Sequence, residues 1–148
     1  MKVTRETIRD DFSRLPNLIL KNVEIRRCPK CGDEVTALRN IEGLHLAIAM
    51  ALVRKSGHLA GAEIRYLRKY LGWSGLDFAA RFGVDNATVS RWENAKQPFG
   101  GLADRLLRLA VVHERRVDDY PLEALMDVAA PKARGPKTFT LAHKRHSW

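Results

Sequence analysis

Cysteine is scarce in this sequence: the 148 residues contain two, Cys28 and Cys31, which stand close together. Such a pair, without further cysteines, does not fit the disulfide framework of a small secreted protein and favours a reducing compartment. Long apolar runs are missing too, because none reaches the roughly 18 residues that span a bilayer. Residues 1–11 alternate in charge and lack the apolar centre of a signal peptide. We therefore expect a cytoplasmic protein that does not enter a membrane.

Catalytic motifs are also missing. The sequence indicates no Cys/His/Asp or Ser/His/Asp set, no glycine-rich phosphate loop and no acidic pair placed for acid–base chemistry. We therefore expect that the protein is not an enzyme.

Acidic residues are outnumbered by basic ones, 17 against 26, which gives a net charge of +9. This excess favours a polyanionic partner. Residues 131–148 show little hydrophobic pattern, so we expect a flexible basic arm there, with Phe139 and Trp148 as its two aromatic residues. This segment has no acidic residue and carries Lys132, Arg134, Lys137, Lys144 and Arg145.

Residues 71–96 predict two short helices joined by a tight turn. The hydroxyl of Ser74 can accept an unpaired backbone N–H and so cap the first helix. Three apolar residues recur on that helix at helical spacing and predict its buried face: Leu76, Ala79 and Phe82. Gly83 follows, where a left-handed turn residue is least strained.

The second helix begins after Val84, an apolar residue in the turn, and Asp85, a second capping residue. Val89 and Trp92 point back to the core. Two helices joined in this way have the arrangement of a helix-turn-helix, whose second helix can lie in a DNA major groove. The opposite face of the second helix then holds the residues that we expect to meet DNA bases: Asn86, Ala87, Ser90 and Arg91. Arg91 is the best single candidate, because its planar guanidinium can bond guanine O6 and N7 together. With the residues placed for phosphates, the predicted DNA-binding set is Ser74, Asn86, Ala87, Thr88, Ser90, Arg91, Asn94 and Lys96.

This segment resembles the phage lambda repressor/Cro (XRE-like) helix-turn-helix family over about residues 62–110. The residues that carry the resemblance are Leu71, Ser74, Ala79, Gly83, Val84, Thr88, Val89, Ser90, Arg91, Trp92, Glu93 and Lys96. It implies a homodimer that places its second motif helix in the major groove of a double-stranded DNA operator. Gly75 stands where the family usually has a phosphate-contacting Gln, so that contact is missing or is made by a backbone N–H. Ala95 replaces the usual Gly at the end of the recognition helix, so we expect some strain there.

Residues 28–32, CPKCG, have the form of a zinc knuckle, in which Gly32 allows a tight turn between two thiolates. Tetrahedral zinc needs four ligands, and this turn supplies two, Cys28 and Cys31. The other two come either from a second subunit, which gives a zinc shared between subunits, or from His45 or His58. A metal-free β-turn is the alternative. Redox chemistry of the thioredoxin kind would require a βαβ pattern, which is absent.

The elements around this turn are less sharply defined. Residues 4–12 predict a short helix, and residues 17–27 predict one bent strand or two short ones. Residues 41–53 form a helix that is apolar almost all round, with one stripe of Ile41, Leu44, Ile48 and Leu52. Such a helix is buried either in a dimer interface or in the core of one subunit.

The order of strands, CPxCG turn, linking helix and helix-turn-helix resembles MqsA-type antitoxins, which carry a YgiT-type zinc finger. Complete fingers of that type have an earlier CxxC, whereas this sequence has no cysteine before Cys28. The resemblance implies an autoregulating repressor and, as an alternative partner, a toxin that meets the N-terminal part.

We therefore predict a mainly α fold, with a small N-terminal β-hairpin or zinc-knuckle-like region followed by a five-helix Cro/repressor-type helix-turn-helix domain. Within this domain we predict one helix at 62–71 and another at 102–113. Their buried residues should be Ile64, Leu67 and Leu71 in the first and Leu102, Leu106, Leu109 and Ala110 in the second. Their exposed residues should be Arg65, Arg68 and Lys69 in the first and Arg105 and Arg108 in the second. A last short helix is predicted at 121–128. The divisions are 1–40 for the β-rich CxxC region, 41–57 for the linking or dimerisation helix, 58–117 for the DNA-binding domain and 118–148 for the C-terminal helix and basic tail.

Three functional hypotheses remain open from the sequence. The first is a sequence-specific transcriptional repressor, including an antitoxin-like autoregulator. The second is an antitoxin or protein-interaction module that neutralises a toxin. An enzyme is the third, with little in the sequence to favour it.

Overall fold

The computed structural model describes residues 1–114, 120–121, 125, 138–145 and 147–148. These residues form two compact units: Met1–Ile48 with the described residues from 138 onward, and the described residues from Ala49 to 125. The elements in chain order are β1 (Lys2–Arg9), β2 (Leu18–Arg27), β3 (Glu34–Ala37), α1 (Ile41–Arg54), α2 (Gly61–Tyr70), α3 (Gly75–Phe82), α4 (Asn86–Glu93), α5 (Gly101–Glu114) and β4 (Phe139–Ala142). The prediction of a mainly α fold with a small β-hairpin is thus incomplete, because the described residues include a four-stranded sheet.

The first unit is built around β2, the central strand of the sheet. β1 pairs with it antiparallel along one side, from Lys2 opposite Arg27 to Arg9 opposite Ile19. On the other side β3 pairs antiparallel with the end of β2, and β4 pairs parallel with its beginning. The short helix predicted at 4–12 is wrong, because most of that segment is the strand β1, whose residues alternate in exposure.

A β-bulge bends β2 in the middle. Val23 is opposite Glu6 and Leu20 is opposite Ile8, so Lys21 and Asn22 together face a single residue of β1. Asn22 takes the left-handed conformation, with φ of 62°. The extra residue shifts the alternation by one, and Leu18, Leu20, Val23 and Ile25 consequently are all buried. The prediction of one bent strand is confirmed.

Helix α1 has one buried stripe, formed by Leu44, Ile48 and Leu52 with Ala49 and Val53. Ile41, predicted to belong to it, is 52% exposed, and Leu46 is 42% exposed. These two apolar side chains, which lie on different faces of the helix, are therefore not covered within the described chain.

The C-terminal segment differs from the prediction of a flexible arm. Phe139–Ala142 form β4, and the pairing continues through the His143 N–H, which donates to the Lys21 carbonyl at 3.3 Å. Residues 139–142 carry no charge, and their regular backbone pairing with β2 holds them in the sheet. The basic residues on either side of them do not prevent this pairing. Residues 131–137 and most of the helix predicted at 121–128 lie outside the described residues.

The second unit has a core of aromatic and aliphatic side chains. Phe78 is fully buried and lies 6.0 Å from Trp92 between ring centroids, and Trp92 lies 5.0 Å from Phe99. Several leucines predicted for this core are exposed instead: Leu76 at 69%, Leu102 at 83% and Leu106 at 46%. Their places are taken by Phe78, Leu107 and Val111, because α3 and α5 are rotated relative to the predicted faces.

Arg108, predicted to face outward, is fully buried in α5. Its Nε donates to Asp104 Oδ1 at 2.6 Å, and its remaining nitrogens donate to backbone carbonyls. These carbonyls belong to Val53, Lys55 and Gly57, at 3.2, 2.6 and 2.7 Å. The guanidinium therefore joins α5 to the chain that ends α1, and burial is tolerated because the charge and its donors are paired.

None of the helices in the described chain is both long and apolar enough to cross a bilayer.

Candidate nucleic-acid interface

The first motif helix, α3, begins with a reciprocal cap. The Asp77 N–H donates to Ser74 Oγ at 3.1 Å, and the Ser74 N–H donates to Asp77 Oδ2 at 2.8 Å. Hydrogen bonds from the Ser74 hydroxyl and backbone N–H lower the pKa of the Asp77 carboxyl. The helix ends at Gly83, whose φ of 66° is the left-handed conformation that glycine adopts without strain. Both predicted helix ends are confirmed, and the hydroxyl of Ser74 is engaged within the cap.

The second motif helix, α4, begins after Asp85, whose carboxylate accepts the Thr88 N–H at 2.6 Å. The Thr88 hydroxyl and this N–H lower the pKa of Asp85. Val89 and Trp92 are buried at 2% and 7% exposure, as predicted. Because Trp92 packs against Phe78 of α3, the two motif helices share one core.

The outer face of α4 is formed by the four residues predicted to meet bases. Asn86, Ala87, Ser90 and Arg91 are all exposed. Arg91 makes no ion pair within the described chain, although its charge is close enough to Asp85 to contribute to lowering that pKa. Its guanidinium fork is consequently available to an acceptor outside the protein.

Asn86 lies against Gly75, the position where the related family usually has Gln. A Cβ at Gly75 would be 2.6 Å from Asn86 Oδ1. The absence of a side chain at residue 75 thus gives the Asn86 amide the space at the beginning of α3. A side chain at residue 75 would displace this amide, so the position of Asn86 depends on the glycine at residue 75.

The side chains predicted to bind phosphate differ in their exposure and in the contacts that they already make within the protein. Lys96 is exposed, whereas Thr88 is half-buried and belongs to the Asp85 cap. Asn94 Nδ2 donates to the Ser90 carbonyl at 2.8 Å, and its Oδ1 accepts from Arg65 at 3.1 Å. Asn94 therefore ends the helix, and Lys96 is the better placed of these residues for a phosphate.

Ala95 has a left-handed backbone, with φ of 55°. The Lys96 N–H donates to the Arg91 carbonyl at 2.8 Å and the Ala95 N–H to the Trp92 carbonyl at 3.2 Å. These two bonds define a Schellman ending, in which glycine is the favoured residue. The strain predicted for Ala95 is therefore present in the structure.

Two arginines that the sequence placed on an outer face instead hold α4 in position. Arg68 Nε lies 2.5 Å and Arg65 Nε 3.1 Å from carboxylate oxygens of Glu93, the last residue of α4. Arg68 also donates to the Trp73 carbonyl at 2.8 Å. No pattern in the sequence indicates this role, because a basic residue on an amphipathic helix is usually solvated.

The CxxC turn joins β2 to β3. The Cys28 N–H donates to the Asp33 carbonyl at 2.9 Å, and Gly32 has φ of 77°. Backbone N–H groups of Cys31 and Lys30 hydrogen-bond to the Cys28 sulfur and, with the Cys31 side chain, lower its pKa. The turn is thus a tight, hydrogen-bonded connection between the two strands. Nowhere in the described chain do three His, Cys, Asp or Glu side chains gather for a metal.

A family model described as helix-turn-helix matches residues 64–109, which run from α2 into α5. No curated protein and no solved structure matches the chain. The match supports a DNA-binding transcription regulator, in agreement with the two capped helices and the exposed face of α4. Residues 64–109 thus form a helix-turn-helix.

Proposed function

We propose that the protein is a sequence-specific transcriptional repressor that inserts α4 into the major groove of an operator. The observation that carries this proposal is the division of α4 into a buried face, with Val89 and Trp92, and an exposed face that includes Arg91, which makes no ion pair within the described chain. Arg91 bonds a guanine, Asn86 an adenine, and Ala87 meets a thymine methyl. Each good bidentate contact contributes about 1–3 kcal/mol of discrimination.

The repressor acts as a homodimer on two half-sites. A single motif contacts few bases, and dimers of this type bind half-sites about one helical turn apart. Leu102 and Leu106 support a self-association surface, because they lie one turn apart on α5 and are both exposed. Two exposed leucines at that spacing form an apolar strip on the same domain that holds α4.

Zinc, if bound, is shared between two copies. Each copy contributes Cys28 and Cys31, which together complete the four thiolates of a structural zinc site. The N–H groups directed at the Cys28 sulfur favour the thiolate form that a metal requires. The observation expected is one zinc per dimer, lost in Cys28→Ser.

We further propose an antitoxin-like autoregulator in the cytoplasm, without enzymatic activity. The order of strands, CxxC turn, helix and helix-turn-helix supports the antitoxin-like part of this proposal. In that setting the protein represses its own promoter, and the sheet unit is the part available to a protein partner. Co-purification with the product of an adjacent gene would test this finer assignment separately from DNA binding.

Selection from a pool of random duplexes tests the proposed function. We expect enrichment of an inverted repeat with half-sites about 10 bp apart, bound by two chains per duplex. Recovery of unrelated sequences, all released together as salt rises, would show electrostatic binding alone and contradict a sequence-specific repressor.

A further inference from the structure

The sheet unit contains a cavity of about 270 Å³ that the DNA-binding function does not use. It lies between the bulge of β2 and the residues that follow β4. This volume is slightly below the range of typical small-ligand pockets, which starts at about 300 Å³, so it suits a ligand of one ring rather than a larger molecule. The residues of its lining that the argument uses are Arg5, Asn22, Glu24, Arg39, His143, Arg145 and Trp148.

Positive charge dominates this cavity. Three arginines line it, against one carboxylate, Glu24. That carboxylate already lies 2.7 Å from Arg26 and 3.4 Å from Arg39. Arg5 and Arg145 make no ion pair within 4 Å in the described chain, although Arg5 is close enough to Glu24 to contribute to lowering the pKa of that carboxyl. Neither guanidinium is held by a carboxylate, so both can pair with an anion.

The bulge and the C-terminal residues fix one wall of the cavity. Asn22 has a left-handed backbone in the bulge, and its Nδ2 donates to the His143 carbonyl at 2.6 Å. The Trp148 indole donates to the Arg39 carbonyl at 3.2 Å. The rings of His143 and Trp148 are 5.2 Å apart between centroids, so two flat surfaces are held beside the arginines.

One polar atom in this wall lacks a partner. His143 Nε2 is buried and makes no hydrogen bond within the described chain. A buried nitrogen without a partner is costly, and an arriving ligand that pairs with it removes that cost.

We propose that this cavity binds a small planar organic anion, such as a single-ring carboxylate or phosphate ester. The charged group pairs with Arg5 and Arg145, and arginine suits both kinds of oxyanion because its fork bonds two oxygens at once. The ring lies against Trp148, and a polar atom of the ligand pairs with His143 Nε2. The site lies wholly in the sheet unit and goes beyond the proposed repressor function.

Two-dimensional NMR of the full chain tests this proposal with named probes: benzoate, phenyl phosphate, inorganic phosphate and uncharged benzamide. Benzoate or phenyl phosphate should shift the Trp148 indole signal and saturate, and whichever of the two binds tighter identifies the oxyanion. The indoles of Trp73 and Trp92, in the other unit, serve as internal references that should not move.

Charge-matched variants locate the binding. Arg5→Gln and Arg145→Gln should each weaken binding about tenfold, the loss expected for one charged hydrogen bond. Arg9→Gln and Lys144→Gln remove the same charge nearby without touching the lining, and should change the affinity less than about twofold.

Three outcomes would overturn the proposal. One is that neither aromatic anion shifts Trp148 at millimolar concentration. The second is that benzamide or inorganic phosphate binds as tightly as the aromatic anions. Equal binding of benzamide would mean that the charge of the ligand has no role, and equal binding of phosphate would mean that its ring has none. The third is that the control variants weaken binding as much as the lining variants. All four substitutions are at exposed side chains, so the folded spectrum should be kept in each.

Discussion

Arg68 Nε lies 2.5 Å from Glu93 Oε1, and this ion pair joins α2 to the last residue of the recognition helix. The Glu93 side chain is 8% exposed and that of Arg68 13%, so the pair is largely shielded from water. We therefore expect this shielded pair, rather than the exposed face of α4, to set the orientation of the helix.

Glu93→Gln should destabilise the domain by about 1–3 kcal/mol, because two arginines lose their carboxylate while the side-chain volume is kept. The measurement is urea unfolding followed by tryptophan fluorescence. Glu114→Gln, at the exposed end of α5, is the matched control and should remain within about 0.5 kcal/mol of the wild type. Equal effects of the two substitutions would show that the pair does not stabilise the fold.

Gly61→Ala should disrupt the same junction by a different route. A Cβ at Gly61 would lie 2.4 Å from the Glu93 carbonyl oxygen, a backbone atom that cannot move without α4. We expect a loss of about 1–3 kcal/mol or more in unfolding free energy. A Cβ at Gly100 would meet no atom within 4 Å, so Gly100→Ala should be nearly neutral. A neutral Gly61→Ala would mean that α2 and α4 are not so closely packed.

Ala95→Gly should stabilise the protein. A non-glycine residue in the left-handed conformation costs about 1–2 kcal/mol, and Ala95 has φ of 55°. We expect a gain of about 1 kcal/mol by thermal or urea unfolding. Ala87→Gly, inside α4, should have the opposite sign and cost about 1 kcal/mol. A loss of stability in both variants would contradict the strained turn.

The two capping carboxylates should make the domain sensitive to acid. Both pKa values are lowered in the folded state, so their contribution is complete above the ordinary value of 3.8 and is lost as the pH falls through the lowered values. NMR titration should show that Ser74→Ala raises the pKa of Asp77 but not that of Asp85. Thr88→Val should do the reverse. If neither substitution moves its partner's pKa, the hydrogen bonds are not the cause.

The helix-turn-helix was predictable from the sequence because its signals are local. Ser74, Gly83 and Asp85 act through hydrogen bonds or dihedral angles within four residues, and the structure contains all three. Once the beginning of α4 is known, helical spacing predicts that Val89 and Trp92 lie on its buried face.

Features that depend on distant contacts were not predictable. Arg108 is buried because three carbonyls more than 50 residues away in sequence receive its N–H groups, which no periodicity can indicate. β4 forms because residues 139–142 meet β2 across more than 100 residues of chain, and the basic composition around it suggested the opposite. The cavity forms where the residues that follow β4 meet the bulge of β2. It therefore also depends on contacts between distant parts of the chain, which the sequence does not indicate.

The most direct test of the central claim compares Arg91→Ala with Lys96→Ala on DNA from upstream of the protein's own coding sequence and on random DNA. Fluorescence anisotropy at two salt concentrations gives the affinities. Arg91→Ala should lose about 1–3 kcal/mol on the specific site and little on random DNA. Lys96→Ala should weaken both alike and reduce the salt slope by about 1. If Arg91→Ala weakens both duplexes equally, α4 does not read bases, and the proposed repressor function is contradicted.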